Sequence, residues 1–284
     1  MTTAAEALAP PVRLGIGART WRFVKRHALT AYALLAVGYL MLPIAVGILF
    51  SFNHPTGNFN YVWNRFTFDN WLNWDAVSGI RSAIEISIEV AAIASVAATM
   101  LGTLIALALV RYGFRGRGAT NLFIFLPMAS PEIVLGASLL TLFLSLNAQL
   151  GFWTIVIAHI MFCISYVVVT VKARLVGFDR HLEEAAMDLG ANELVTFRKV
   201  TLPLIAPAML AAALLGFALS IDDFVITNFN SGSTVTFPLF VWGAARVATP
   251  PQINVIGTAI FGIAVSVMIV NVAVQMGRAR KGAA

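Results

Sequence analysis

The sequence predicts an all-α membrane protein with six transmembrane helices and both termini in the cytoplasm. Three observations predict it. The 284 residues are 59% hydrophobic and only 11% charged, with a mean hydropathy of +0.85, whereas soluble domains carry about 25% charged residues. A soluble domain that apolar lacks the polar surface to stay dispersed, but a bilayer is the solvent for such side chains. The apolar residues gather into six stretches, each long enough for the roughly 20 residues a spanning helix needs. Lysine and arginine fall almost entirely in alternate connections between those stretches.

The stretches run Leu29–Phe50, Ser82–Val110, Thr120–Leu146, Gly151–Val171, Pro207–Phe229 and Ile253–Met276. The first follows a basic segment, as in a signal peptide. It is longer than the roughly 7–15 apolar residues of a signal sequence, and no small-x-small cleavage site follows it, so it reads as an uncleaved anchor. Residues 1–28 form an N-terminal tail, 29–277 the six-helix domain and 278–284 a C-terminal tail. Sixteen of the nineteen basic residues lie in these tails and in the second-to-third and fourth-to-fifth connections, among them Arg13, Arg111, Arg180 and Arg280. Only Arg65, Arg81 and Arg246 lie elsewhere. This bias orients those connections inward. The net charge of +6 and pI near 9.9 would suggest nucleic acid in a soluble protein. Here topology places the charges, and no nucleic-acid partner is expected. A single cysteine, Cys163, excludes an internal disulfide framework.

The outer connection 51–81 carries Tyr61, Trp63, Trp71, Trp74 and several phenylalanines. Amphipathic aromatics favour the membrane–water interface, so the segment reads as an interfacial helix or as a contact surface for an external partner. The cytoplasmic connection 172–204 is too polar to span and too long for a tight turn. Good helix formers occupy His181–Leu189. Gly190 follows where a positive φ costs least, and Asn192 is an N-cap for a second helix over Asn192–Val200. Pro203 and Pro207 punctuate entry to the fifth span. The expectation is a helix–glycine–helix bracket whose small Ala185 and Ala186 admit a partner closely.

Glu184-Ala185-Ala186, three residues, Gly190, nine residues and Val200-Thr201-Leu202-Pro203 closely resemble the signature loop of ABC-importer permeases, with valine in the usual isoleucine place. Further segments are Arg111-Tyr112-Gly113-Phe114-Arg115-Gly116, Ser130-Pro131-Glu132-Ile133-Val134, Leu150-Gly151-Phe152-Trp153 and Ser220-Ile221-Asp222-Asp223-Phe224-Val225. They resemble the second permease subunit of spermidine/putrescine transporters. The resemblance implies a pore shared with a homologous second permease in a bacterial inner membrane. It also implies an ATPase dimer that docks the loop through Glu184, Ala185, Ala186, Asp188, Gly190, Leu202 and Pro203, and an external solute-binding protein. ATP and magnesium then belong to the ATPase, and this chain needs no cofactor or metal.

Three acids fall at membrane depth, where a charge costs about 2.5 to 3.5 kcal/mol on insertion scales and marks a functional site by default. Glu132 lies roughly 18 Å into the third span at about 1.5 Å per residue, just after Pro127 and Pro131, which interrupt the helix. Asp222 and Asp223, far along the fifth span, point about 100° apart if they sit on one helix. Each acid either lines a cation path, as polyamines require, or pairs with a neighbouring helix. Arg81, Glu85 and Glu89 share an i, i+4 stripe that reads as mutual ion pairs or as a cation-attracting outer mouth. His159 and Cys163 share a face of the fourth span and, two ligands without a third, read as packing residues rather than a zinc site.

Two other function classes are weaker. A membrane-embedded enzyme has only His159 and Ser231-Gly232-Ser233 to draw on, far apart in the topology, and the chain has no P-loop and no HExxH. A stand-alone ion-coupled carrier leaves the bracket loop without a receiver. An importer of the same type for another small solute stays open, because permeases for related solutes share this pattern.

Overall fold

The computed structural model describes residues 16–281; Arg13 and the rest of residues 1–15, with residues 282–284, lie outside the described residues. Among the described residues there are helices and isolated bridges, such as Asn53 with Phe66, but no strand. Five helices are long and apolar enough to cross a membrane, namely His27–Ser51, Ile80–Arg111, Phe152–Val176, Glu193–Ile221 and Pro251–Val270. The remaining expected span, Thr120–Leu146, is a pair of helices bent by 109°.

The chain divides into two units. One contains α1 (Ile16–Ser51), the short α2 (Asp69–Leu72) and the last helix, Pro251–Lys281. The aromatic segment after α1 is not the expected interfacial helix. Only the four residues of α2 are helical there. Buried asparagines organise the rest. Asn53 donates to Asn60 (2.7 Å), Asn60 to the Phe50 carbonyl (2.8 Å), and Asn70 to the carbonyls of Ser51 (3.0 Å) and Asn53 (2.8 Å). These amides satisfy backbone groups that no ladder serves, and Phe52 stacks between Phe66 and Trp71 beside them.

The other unit, Asp75–Thr249, holds α3 (Ile80–Arg111), α4 (Arg117–Ala129), α5 (Glu132–Ser145) and α6 (Phe152–Val176). It continues through α7 (His181–Asp188), α8 (Glu193–Thr196), a π-helical turn (Phe197–Thr201), α9 (Leu202–Ile221), α10 (Val225–Asn230) and α11 (Phe237–Ala244). The last helix of the chain is α12 (Pro251–Lys281). The core of the unit Asp75–Thr249 is α3 packed on α6 and α9. The buried face of α3 is a stripe of small residues, Ala83, Ser87, Ala91, Ala94, Ala98, Gly102 and Ala106. Helices in lipid have no hydrophobic drive toward one another, so close backbone approach supplies the packing energy. Against the stripe lie Phe162, Val167 and Val171 of α6 and Ile205 and Ala212 of α9.

Two details depart from expectation. Pro127 sits inside α4 without breaking it, and the interruption is at Ser130–Pro131 alone. A residue before proline is driven to extended backbone, and Ser130 has φ −81° and ψ 142°. Pro203 and Pro207 do not delay the fifth span either. Pro203 falls in the first turn of α9, where its missing N–H costs nothing, and α9 continues through Pro207.

Candidate functional site

Two regions of the larger unit carry the expected site residues. The first is the bracket. Helix α7 ends in a Schellman closure, with the Gly190 amide donating to Met187 (2.9 Å) and the Ala191 amide to Ala186 (3.1 Å). Gly190 has φ +87°, a conformation that glycine adopts without Cβ strain. The Asn192 side chain accepts the Val195 amide at 2.9 Å and caps α8. The second helix is shorter than expected, because it changes to π geometry at Phe197. Glu184, Ala185, Asp188 and Gly190 are exposed, Ala186 is half-buried, and Glu184 contacts His181 (3.1 Å). Leu202 and Pro203 stand on the first turn of α9. Leu182, Met187, Leu189 and Leu194 are also exposed on this polar hairpin, Leu189 by 90%.

The second region is a cavity of about 310 Å³ lined by Glu132, Phe162, Leu219, Asp222, Phe224 and Val225, with Asp223 in its wall. Two interrupted helices build it. Glu132 opens α5 directly after the Pro131 break, where a carboxylate meets the positive end of the helix dipole. Helix α9 stops at Ile221, so Asp222 and Asp223 lie in the break before α10 and not on one continuous helix as expected.

That break separates the two aspartates chemically. Asp222 and Glu132 are exposed to the cavity side. Asp223 is buried, and its carboxylate accepts the amides of Ile226 (3.4 Å) and Thr227 (2.8 Å) and the Thr227 hydroxyl (2.9 Å). It thereby serves the first N–H groups of α10, which have no partner within the helix. His159 completes the arrangement. Its Nε2 lies 2.9 Å from Thr227 Oγ1 and 3.3 Å from Asp223 Oδ2, and its Nδ1 lies 2.6 Å from Ser220 Oγ. Because Thr227 already donates its hydroxyl to Asp223, Nε2 is the donor on that side. His159 is therefore more than a packing residue: it ties α6 to both sides of the α9–α10 break. Cys163, one turn on, is a packing residue, with its Sγ 3.5 Å from the Gly216 carbonyl.

The sequence reading missed the His159 network and the apolar lining of Phe162, Leu219 and Phe224. A signal for the first existed. A histidine buried among apolar side chains costs several kcal/mol unless hydrogen-bonded, and Ser220, Asp223 and Thr227 are among the few polar residues of the apolar fifth span. Of the expected Arg81–Glu85–Glu89 stripe only the Arg81–Glu85 pair forms, at 2.9 Å, and it is exposed. Among the described residues no group of three potential metal ligands occurs.

Residues 98–279 match the family described as the inner membrane component of binding-protein-dependent transport systems. The chain belongs to this family. It is a permease subunit, an integral component of the bacterial inner membrane. It is 37% identical over 255 residues to the spermidine/putrescine transport system permease protein PotC of Haemophilus influenzae, covering 88% of this chain and 96% of that protein. It is 40% identical over 238 residues to PotC of Escherichia coli K12, covering 82% and 88%. It is also 40% identical over 240 residues to the putrescine permease PotI of the same strain, covering 81% and 84%. Among solved structures it resembles a bacterial ABC transporter that imports alginate, with a TM-score of 0.62 at 16% identity over 92% of this chain and 98% of that one. An amino acid ABC transporter matches at TM-score 0.54 and 15% identity, over 76% and 99%. These likenesses confirm the permease fold.

Proposed function

We propose that this permease forms half of the membrane pore of an ATP-driven importer of polyamines, with both termini in the cytoplasm. A homologous permease supplies the other half. An ATPase dimer, carrying ATP and magnesium, receives the bracket through Glu184, Ala185, Ala186, Asp188 and Gly190, while Leu202 and Pro203 join it to α9. An extracytoplasmic binding protein delivers the solute. The polyamine reading rests on the relatives named above, and both termini are placed inward by the charge bias.

The observation that carries the reading is the cavity between two interrupted helices, with Glu132 and Asp222 on its wall. Interrupted helices near the midplane are where transporters hold their solutes. A volume of about 310 Å³ falls in the range of small-molecule sites, and Phe162 and Phe224 suit the methylene chain between amines. Asp223 holds the break in shape and contributes charge only through it. Uptake of radiolabelled spermidine and putrescine into vesicles holding the whole assembly tests this. Asp222→Asn and Glu132→Gln are expected to raise the half-saturating concentration by about tenfold, the worth of one charge-assisted contact of roughly 1.4 kcal/mol. Transport of only neutral or anionic solutes rules out the polyamine assignment and leaves the importer.

A further inference from the structure

A residue that the signature does not include joins the bracket to the helix bundle. Glu183 precedes Glu184 on α7 and points the other way. Its carboxylate accepts from Arg111, the last residue of α3, and from the hydroxyl of Thr201, the last residue of the π-helical turn. Arg111 also donates to Thr201 Oγ1 at 3.2 Å, closing a triangle. Beside it, Arg180 donates to the Val110 carbonyl at 3.0 Å, one of the carbonyls a helix end leaves unpaired. Glu184 is exposed, whereas the Glu183 side chain is only 14% exposed and that of Arg111 28%. A charged pair this sheltered has one favourable geometry, and losing one member leaves the other poorly solvated.

We infer that Glu183 is a positioning residue that converts motion of the docked bracket into motion of α3 and α9. The inference rests on the proposed importer function. Its basis is where the two helices lead. Thr201 abuts α9, whose 20 residues extend about 30 Å and end at Ile221, beside Asp222. Arg111 terminates α3, which packs along α6 and α9. A rigid helix pulled at one end moves at the other. A helix α7 held only by its chain connections would turn on Gly177 and Gly190, which flank it, without moving the cavity. The triangle removes that freedom by fixing α7 simultaneously to the ends of two core helices.

The test uses the full assembly of both permeases, ATPase and binding protein. Spin labels are placed at exposed Ala218 on α9 and exposed Ile157 on α6, with Cys163 replaced by alanine. ATP is expected to change the label distance in the otherwise unaltered chain. Glu183→Gln is expected to retain the ATPase on purification but lose that change. Binding-protein-stimulated ATP hydrolysis is expected to fall about 5- to 150-fold, the range of coupling between sites. The charge exchange Arg111→Glu with Glu183→Arg is expected to restore most of both, because the Thr201 hydroxyl donates to either partner or accepts from it. An undiminished distance change in Glu183→Gln overturns the inference. So does loss of the ATPase from that variant, which makes Glu183 part of the docking surface. If the unaltered chain fails to hold an ATPase at all, the importer reading falls, and the joint falls with it.

Discussion

The bracket and the cavity are built in opposite ways. The bracket's own shape comes from neighbours in the chain: the Schellman closure at Gly190, the Asn192 cap and the exposed leucines. The cavity draws Glu132 from one helix break, Asp222 from another and Phe162 from the unbroken α6. Residues close in sequence obey local rules, and those rules are readable in advance. Residues brought together by packing obey them only after the fold exists. The two regions also fail differently when altered. A local element loses its partner, whereas an assembled one loses its shape.

The largest effect is expected in the bracket. Gly190→Asp places a Cβ at φ +87°, although no atom lies within 4 Å of it. The strain is about 1–2 kcal/mol, small against the fold. Uptake is expected to vanish, as it is for Glu184→Lys, while membrane insertion and thermal stability change little. Normal uptake by either variant removes the docking assignment. A large fall in melting temperature would instead show the bracket to be structurally integral, erasing the contrast with the cavity.

His159→Ala tests the other side of the comparison. It strips Ser220, Thr227 and Asp223 of a buried partner. A loss of about 1–3 kcal/mol in unfolding free energy is expected, with uptake falling in proportion to the folded fraction. His159→Gln, which keeps a donor and an acceptor, is expected to recover part of it. Unchanged stability in His159→Ala would mean that the break holds itself open without α6.

The smallest effect is expected between the two regions. A Cβ at Gly216 would meet Cys163 and Ser95 at 3.7 Å, ordinary contact distance. Gly216→Ala is therefore expected to change stability by no more than about 1 kcal/mol, and toward gain, since alanine favours helix over glycine by about that amount. A marked loss of uptake with unchanged stability would show that α9 must slide past α6 at this point.

These particulars show what the sequence held. Span number, span order and the bracket followed from hydropathy, charge and a motif whose spacing is local. The interruption of the third span was legible but its place was not, because Pro127 and Pro131 look equivalent in sequence and only the backbone at Ser130 distinguishes them. The roles of Asp222 and Asp223 were illegible for a related reason. On one helix the two differ only by rotation, whereas in a helix break one is drawn into a cap and the other is left facing outward. The Arg111–Glu183–Thr201 triangle spans 90 residues and has no local signature at all.

The π-helical turn at Phe197–Thr201 works like a slack link between the bracket and the cavity. A π-turn holds one residue more than an α-turn would, so it takes up that residue locally, and α8 and α9 keep nearly the phase of one continuous helix across it. Removing one residue from the turn would let the helix run on as ordinary α with little rotation of α9. Removing a residue from α9 itself has no such slack and would turn Asp222 against the bracket by about 100°. The joint between bracket and cavity therefore tolerates a change of length at one place only, even where every side chain of both is preserved.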